Sequence, residues 1–168
     1  MSTLRTTTID SPVGPLRAVG DGEALHGFYF PDHCPAPRVN GAVEDAGAFR
    51  DLGEQLAAWF AGERTELDLA LELRGTRFQR RIWAALAEIP FGATVTYSYL
   101  AVAVGLPGAA RAVGHAVARN PVSIVVPCHR VVGAAGQLTG YAGGLDRKRH
   151  LLDHEQAVLG ARAVSTRK

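Results

Sequence analysis

Apolar and polar positions alternate over the first thirty residues of the chain. TLRTTTI, LRAV and LHGFYF each read as a short strand, and SPVGP and GDGEA between them carry the Gly, Pro and Asp that turn a chain back on itself. The pattern predicts a small antiparallel meander. PDHCPAPRVNG, residues 31–41, is rich in Pro and Gly and reads as a loop. Over residues 46–61 the period changes: Phe49, Leu52, Leu56, Trp59 and Phe60 recur at helical intervals until Gly62 ends the run. ELDLALEL, residues 66–73, returns to alternation and predicts another strand.

The pattern shifts at Gly75. Thr76 with Gln79 forms a capping-box start, and Phe78, Ile82, Trp83 and Leu86 mark one apolar face of a helix over 77–88, which Pro90 and Gly92 end. After the β-like FGATVT, Thr96 can cap a helix from Tyr97 to about Val104. Gly105-Leu106-Pro107 breaks it, and GAARAVGHAVARN resumes helical spacing. Helix, tight turn and helix make a helix-turn-helix outline, weak evidence alone because most helical hairpins bind no DNA. Its second helix is nearly bare, with Ala and Gly at most positions and Arg111, His115 and Arg119 near one face. The run SIVV, residues 123–126, reads as a buried strand leading into Pro127-Cys128-His129-Arg130. The expected fold class is α/β of the α+β kind. A small N-terminal antiparallel sheet lobe with one helix spans 1–74, and a mostly helical C-terminal domain, holding the helix-turn-helix and Cys128, spans 75–168.

At 168 residues and 47% hydrophobic, the chain can bury a core without disulfide staples. MSTLRTTTID has no basic-then-apolar signal region, and no run approaches the roughly 18 apolar residues of a membrane helix. A soluble, cytoplasmic protein is expected. The net charge of +2 conceals an asymmetry: residues 1–75 hold six basic against twelve acidic side chains, a balance of −6, and the remainder hold twelve against four, a balance of +8. The second half is the one that would attract a polyanion.

Cys34 and Cys128 are the two cysteines, and neither belongs to a CxxC pair, so a structural zinc site is not expected. A free thiol has a pKa of about 8.5 and reacts as its thiolate, so a reactive cysteine needs a base or positive charge nearby. His129, Arg130 and Glu155 supply those chemical types. Neighbours on an extended segment face opposite ways, so His129 reaches Cys128 only through a turn or a bridging water. A buried inert cysteine is the plain alternative, although two strongly polar residues follow this one at once.

NPVSIVVPCHRVVG and GQLTGYAGGLDRKRHLLDHE closely resemble the active-site region of the O6-alkylguanine-DNA alkyltransferases, or methylated-DNA–protein-cysteine methyltransferases. RGTRFQRRIWAALAEIPFGATVTY and GLPGAARAVGHAVARNP extend the likeness over residues 74–155; the N-terminal lobe matches only in general layout. The resemblance implies a repair protein that transfers an alkyl group from O6 of guanine in duplex DNA, with O4-alkylthymine left open, to its own cysteine in a single turnover. Cys128 resembles the acceptor, His129 its base acting through a water, and Glu155 the residue that orients the imidazole. Asn120 resembles the brace of the active-site turn, and Tyr97 the donor toward the departing base.

Arg111 resembles the side chain that fills the stack after the target base is flipped out. Ala110, Gly114 and Tyr97 accompany it at the minor groove. Backbone groups of Cys128 and Val131 would read the guanine edge, and Tyr141, Ala142, Gly143 and Gly144 would close over the base. The resemblance implies no cofactor, no metal, and a monomer whose cooperativity on DNA stays open. Cys34, His33 and His26 do not make the zinc ligand set that some relatives carry. Departures fall at Ser98-Tyr99, His115 and Ala142, where relatives carry other residues, and Cys128 itself separates the chain from the noncatalytic alkyltransferase-like proteins. A cysteine hydrolase using Cys128, His129 and Glu155, and a DNA-binding regulator with an incidental cysteine, are the rival classes.

Overall fold

The computed structural model describes residues 2–33 and 39–166, so Cys34 and the expectations attached to it lie outside the described residues. The three predicted strands form: β1 (Arg5–Ile9), β2 (Leu16–Gly20) and β3 (Leu25–Tyr29) pair antiparallel in sequence order. Their turns are held by side chains of the expected kind. Asp21 Oδ1 accepts from the backbone N–H groups of Glu23 (2.9 Å) and Ala24 (2.8 Å), and these bonds hold its carboxyl below the usual range.

The sheet is mixed rather than wholly antiparallel. A two-residue strand, β4 (Val43–Glu44), lies parallel to β1 and gives the order β3-β2-β1-β4. So short a strand leaves no alternation to read, and it is fixed by Val43 N–H to Leu4 O (2.8 Å) and Asp45 N–H to Thr6 O (2.9 Å). The helix expected over 46–61 opens with a 3-10 turn, Ala46–Phe49, and continues as α1 (Arg50–Phe60), burying Leu52, Leu56 and Trp59.

The strand expected over 66–73 does not form. Among the described residues it makes one bridge, between Leu25 and Leu71. The Gln55 side chain stands in for a ladder partner: its amide donates to Asp68 O (2.9 Å) and its oxygen accepts from Asp68 N–H (2.7 Å). Leu67, Leu69 and Leu73 still pack on the core, so the alternation records one-sided burial in a segment that meets β3 only at the Leu25 bridge.

Beyond Gly75, α2 (Arg77–Ala87) begins with the predicted capping box, Gln79 N–H to Thr76 Oγ1 (3.0 Å) and Thr76 N–H to Gln79 Oε1 (2.9 Å). β5 (Val95–Thr96) leads into α3 (Tyr97–Ala103), capped by Thr96, and α4 (Ala110–Ala118) follows the Gly105–Ala109 turn. β6 (Val131–Val132) pairs parallel with β5, and α5 (Leu145–Ser165) closes the described chain. Trp83 Nε1 donates to Ala116 O (2.8 Å), fixing α2 against α4. One buried cluster runs through both halves, from Leu16, Phe28 and Trp59 to Ile82, Leu100, Val113 and Leu151. No helix among the described residues is long and apolar enough to cross a membrane.

Candidate active site

Residues 120–130 hold the segment that carries Cys128, and they contain no strand. The expected SIVV strand is instead a tight turn in which Val126 N–H bonds back to Val122 O (3.0 Å) and Ile124 sits at φ 71°. A β-branched residue in the left-handed region is strained, so neighbours must impose that geometry. Asn120 does so: its Nδ2 donates to Val126 O (2.8 Å) and its Oδ1 accepts from Val122 N–H (3.1 Å). Satisfying these buried groups from a side chain removes the need for a sheet partner. The segment is also stitched to the first half, through Phe28 N–H to Pro121 O (2.8 Å) and Ser123 N–H to Phe28 O (2.7 Å).

Cys128 lies in the next element, a 3-10 turn over Cys128–Arg130, and is 5% exposed. The turn supplies the change of direction that the extended reading required. Burial pushes the thiol pKa up, while the Asn120 amide and the Lys148 charge pull it down. His129 is fully buried. Its Nε2 lies 2.5 Å from Glu155 Oε2, and its Nδ1 has no hydrogen-bond partner among the described residues. Burial lowers the imidazole pKa, against the opposing pull of Glu155.

Glu155 accepts from both sides. Arg130 Nε donates to Oε1 (2.9 Å), Arg130 Nη2 to Oε2 (3.0 Å), and Gly92 N–H to Oε1 (2.8 Å). Burial raises the carboxyl pKa, but the bonds and charges of His129 and Arg130 outweigh it and bring the value down to about 2. An ionised Glu155 fixes the neutral imidazole with its hydrogen on Nε2, leaving a lone pair on Nδ1. Arg130 is neutralised by this pairing and also donates to Ile89 O (2.7 Å).

A cleft of about 860 Å³ opens on the α4 side, within the roughly 300–1,000 Å³ typical of small-molecule sites. It is lined by Tyr97, Ala110, Arg111 and Gly114 from α3 and α4 and by Thr139, Tyr141 and Ala142 from the loop before α5. Tyr141 is close enough to Cys128 for a thiolate there to add to the effect of burial in raising its phenol pKa. Arg111 is exposed and makes no hydrogen bond or ion pair among the described residues. Gly114 lies against the Tyr97 ring, where a Cβ would find Tyr97 Cδ1 at 3.6 Å. Val131 is buried and its N–H is committed to Cys128 O. Gly143 admits no side chain, because a Cβ would meet the Phe30 ring at 2.5 Å; Gly144, at φ 90°, starts α5.

Three contributors went unread in the sequence. Lys148 is 0% exposed, donates to Thr139 O (2.7 Å), and has its pKa lowered to about 8 by burial, against the pull of Cys128. Its signal was available: Lys148, Leu151 and Glu155 at i, i+3 and i+7 are the buried face of α5. Arg147 lies over the Phe30 ring (4.5 Å) and donates to Val13 O, Asp32 Oδ1 and Gly143 O. Trp59, in the half whose sequence shows no chemistry, meets the His129 ring edge-on at 6.4 Å. Elsewhere, His26 Nε2 lies 3.4 Å from Asp21 Oδ2 and 3.6 Å from Glu72 Oε2, while His33 packs against Tyr29.

Comparison with known proteins places this geometry. The model of the 6-O-methylguanine DNA methyltransferase DNA binding domain matches residues 77–157, and that of the ribonuclease-like domain of the same proteins matches residues 4–73. The methylated-DNA–protein-cysteine methyltransferase of Mycobacterium tuberculosis is 51% identical over 150 residues, covering 89% of this chain and 91% of that one. The enzyme of that name from Methanosarcina acetivorans is 48% identical, covering 87% and 94%. The crystal structure of Mycobacterium tuberculosis OGT in complex with DNA superposes with a TM-score of 0.86 at 50% identity, covering 93% of this chain and 94% of that one. The buried Cys-His-Glu array, the fold that holds it and these likenesses agree: the chain belongs to the 6-O-methylguanine DNA methyltransferase family.

Proposed function

We propose that this chain repairs DNA by moving an alkyl group from O6 of guanine in duplex DNA onto Cys128, once per molecule, acting as a cytoplasmic monomer. The observation that carries the reading is a buried cysteine followed in the chain by a buried imidazole whose Nε2 is bonded to Glu155 and whose Nδ1, unpartnered among the described residues, is left as an acceptor. The thiol proton passes through a water to His129 Nδ1, and Sγ attacks the alkyl carbon in line. The S–C bond forms as the C–O6 bond breaks, and the bonding pair leaves on the purine. The guanine then takes up a proton, so the net change is one proton from sulfur to base and one alkyl group from base to sulfur.

Asn120 keeps the turn in register, and Tyr97 donates toward the departing base. Access requires the target base to leave the duplex. Arg111 entering the stack from the minor groove offsets the few kcal/mol that unstacking costs, and the smallness of Ala110 and Gly114 lets α4 approach the backbone. Backbone groups of Cys128 and Val131 read the guanine edge, with Tyr141, Ala142, Gly143 and Gly144 over the ring. Residues 75–168 act as the DNA-binding and acceptor domain, and residues 1–74 as the lobe that supports it.

Intact-mass measurement tests this. Incubation with duplex DNA carrying one O6-methylguanine is expected to add one methyl per chain, mapping to Cys128, and Cys128→Ala is expected to take up none while still binding DNA. Product released over many turnovers would favour a hydrolase, and an unchanged mass with a persisting lesion would favour a regulator.

A further inference from the structure

Tyr97 and Thr139 both line the cleft and meet there from different elements. Tyr97 is the first residue of α3, and Thr139 lies in the loop between β6 and α5, 42 residues further on. Thr139 Oγ1 donates to Tyr97 Oη at 3.1 Å. Both side chains are half-buried and line the cleft. The link is held from each end. Lys148 Nζ bonds the Thr139 carbonyl at 2.7 Å from a fully buried position, and a β-branched side chain has little χ1 freedom once its backbone is set. Thr96 fixes the start of α3 by accepting from Tyr99 N–H (3.0 Å), and the Tyr97 ring rests against the Gly114 surface of α4.

A phenol hydroxyl has one hydrogen and can turn it either way in the ring plane. We propose that Thr139 is a positioning residue for the departure of the base: by occupying the acceptor side of the Tyr97 hydroxyl, it leaves the phenol hydrogen directed into the cleft. The proposal rests on the alkyl-transfer reading above. As the C–O6 bond breaks, electron density collects on the purine, and a hydrogen bond from Tyr97 to a purine ring atom stabilises it. A hydroxyl that accepts one hydrogen bond donates a stronger one, so the Thr139 bond orients Tyr97 and strengthens it as a donor. Thr139 itself touches no reacting atom.

The test is single-turnover transfer with duplex DNA carrying one O6-methylguanine, measured beside the dissociation constant for the same duplex. Thr139→Val keeps the shape and removes the hydroxyl. It is expected to slow transfer about five- to tenfold, with the dissociation constant changed less than about twofold. Thr139→Ser, which keeps the hydroxyl, is expected to transfer within about twofold of wild type. In a Tyr97→Phe background, Thr139→Val should have no further effect, because no hydroxyl remains to orient. A Thr139→Val protein at full rate, an equal slowing in the Tyr97→Phe background, or a serine variant as slow as the valine one would overturn the proposal. A wild-type chain that takes no methyl onto Cys128 would instead overturn the reading on which it rests.

Discussion

Behind Tyr141, the polar groups around Cys128 are committed to one another. Glu155 takes bonds from His129, Arg130 and Gly92, Asn120 holds the turn through Val122 and Val126, and nearly every member is out of solvent. On α4 and at its C-cap, Arg111, His115 and Arg119 are exposed, and Ala and Gly fill most of the positions between them. The first region is internally bonded, and the second leaves its charged side chains uncommitted; on the proposed reading, the one is organised before substrate arrives and the other is free to meet DNA. Groups that must meet a reacting atom gain from being fixed in advance in a dry site. Groups that must follow a phosphate backbone gain from solvent and reach, because their contacts position rather than react.

The contrast should break most visibly at Glu155. Glu155→Gln leaves Arg130 buried without its counter-charge, and removing one partner of such a pair costs about 3–5 kcal/mol. The thermal midpoint is therefore expected to fall by roughly 10 °C, since a chain of this size loses about 2–4 °C per kcal/mol. A calorimetric scan with no shift would show the array to be dispensable to the fold. On the other side, Arg111→Ala should change stability by less than about 0.5 kcal/mol. On the proposed reading, in which Arg111 fills the stack left by a flipped base, it should nevertheless slow transfer from duplex DNA about 10- to 100-fold. Reaction with a free O6-alkylguanine base should be unaffected, and equal slowing on both substrates would make Arg111 structural.

A gentler probe is acid. His129 is held below its ordinary value of 6.5, so the unfolded chain takes up its proton first and stability begins to fall as pH drops below about 6.5. Glu155, at about 2 folded against 4.5 ordinarily, contributes stability that is complete above about 4.5 and is lost as pH falls toward about 2. The thermal midpoint followed from pH 7 down to 3 should decline through both windows. The decline should keep its shape in Arg111→Ala, whereas in Glu155→Gln the fall that begins near about 6.5 should remain and the part below about 4.5 should flatten; a Glu155→Gln profile as steep as wild type below about 4.5 would place that acid sensitivity elsewhere.

Where each element's signal was local, the sequence was readable. The Thr76–Gln79 box, the Thr96 cap, the three opening strands and the bare α4 helix each follow from residues within a few positions of one another. The failures at 66–73 and 123–126 share a cause. In both, a side-chain amide from elsewhere, Gln55 or Asn120, takes the backbone groups that a strand would have offered to a neighbour. Alternation and apolar runs report burial, which is near complete over 123–126 and partial at Leu67, Leu69 and Leu73, with Leu71 exposed; they do not report who supplies the hydrogen bonds. In the candidate site, Cys128, His129 and Glu155 stood out through their motifs. Lys148 and Arg147 were hidden in RKRH, where basic residues on a helix ordinarily face water, and Trp59 and Phe30 were indistinguishable from packing.

Phe30 and Gly143 have a mechanical consequence. The loop that carries Tyr141 and Ala142 rests on an aromatic ring from the first half with no room for even a methyl group between them, and Arg147 ties its carbonyl to that same half. Such a contact is a hard stop: the loop has no travel toward the lobe, and any displacement must carry it the other way. The first half, which contributes none of Cys128, His129 and Glu155, thereby sets the rest position of the loop.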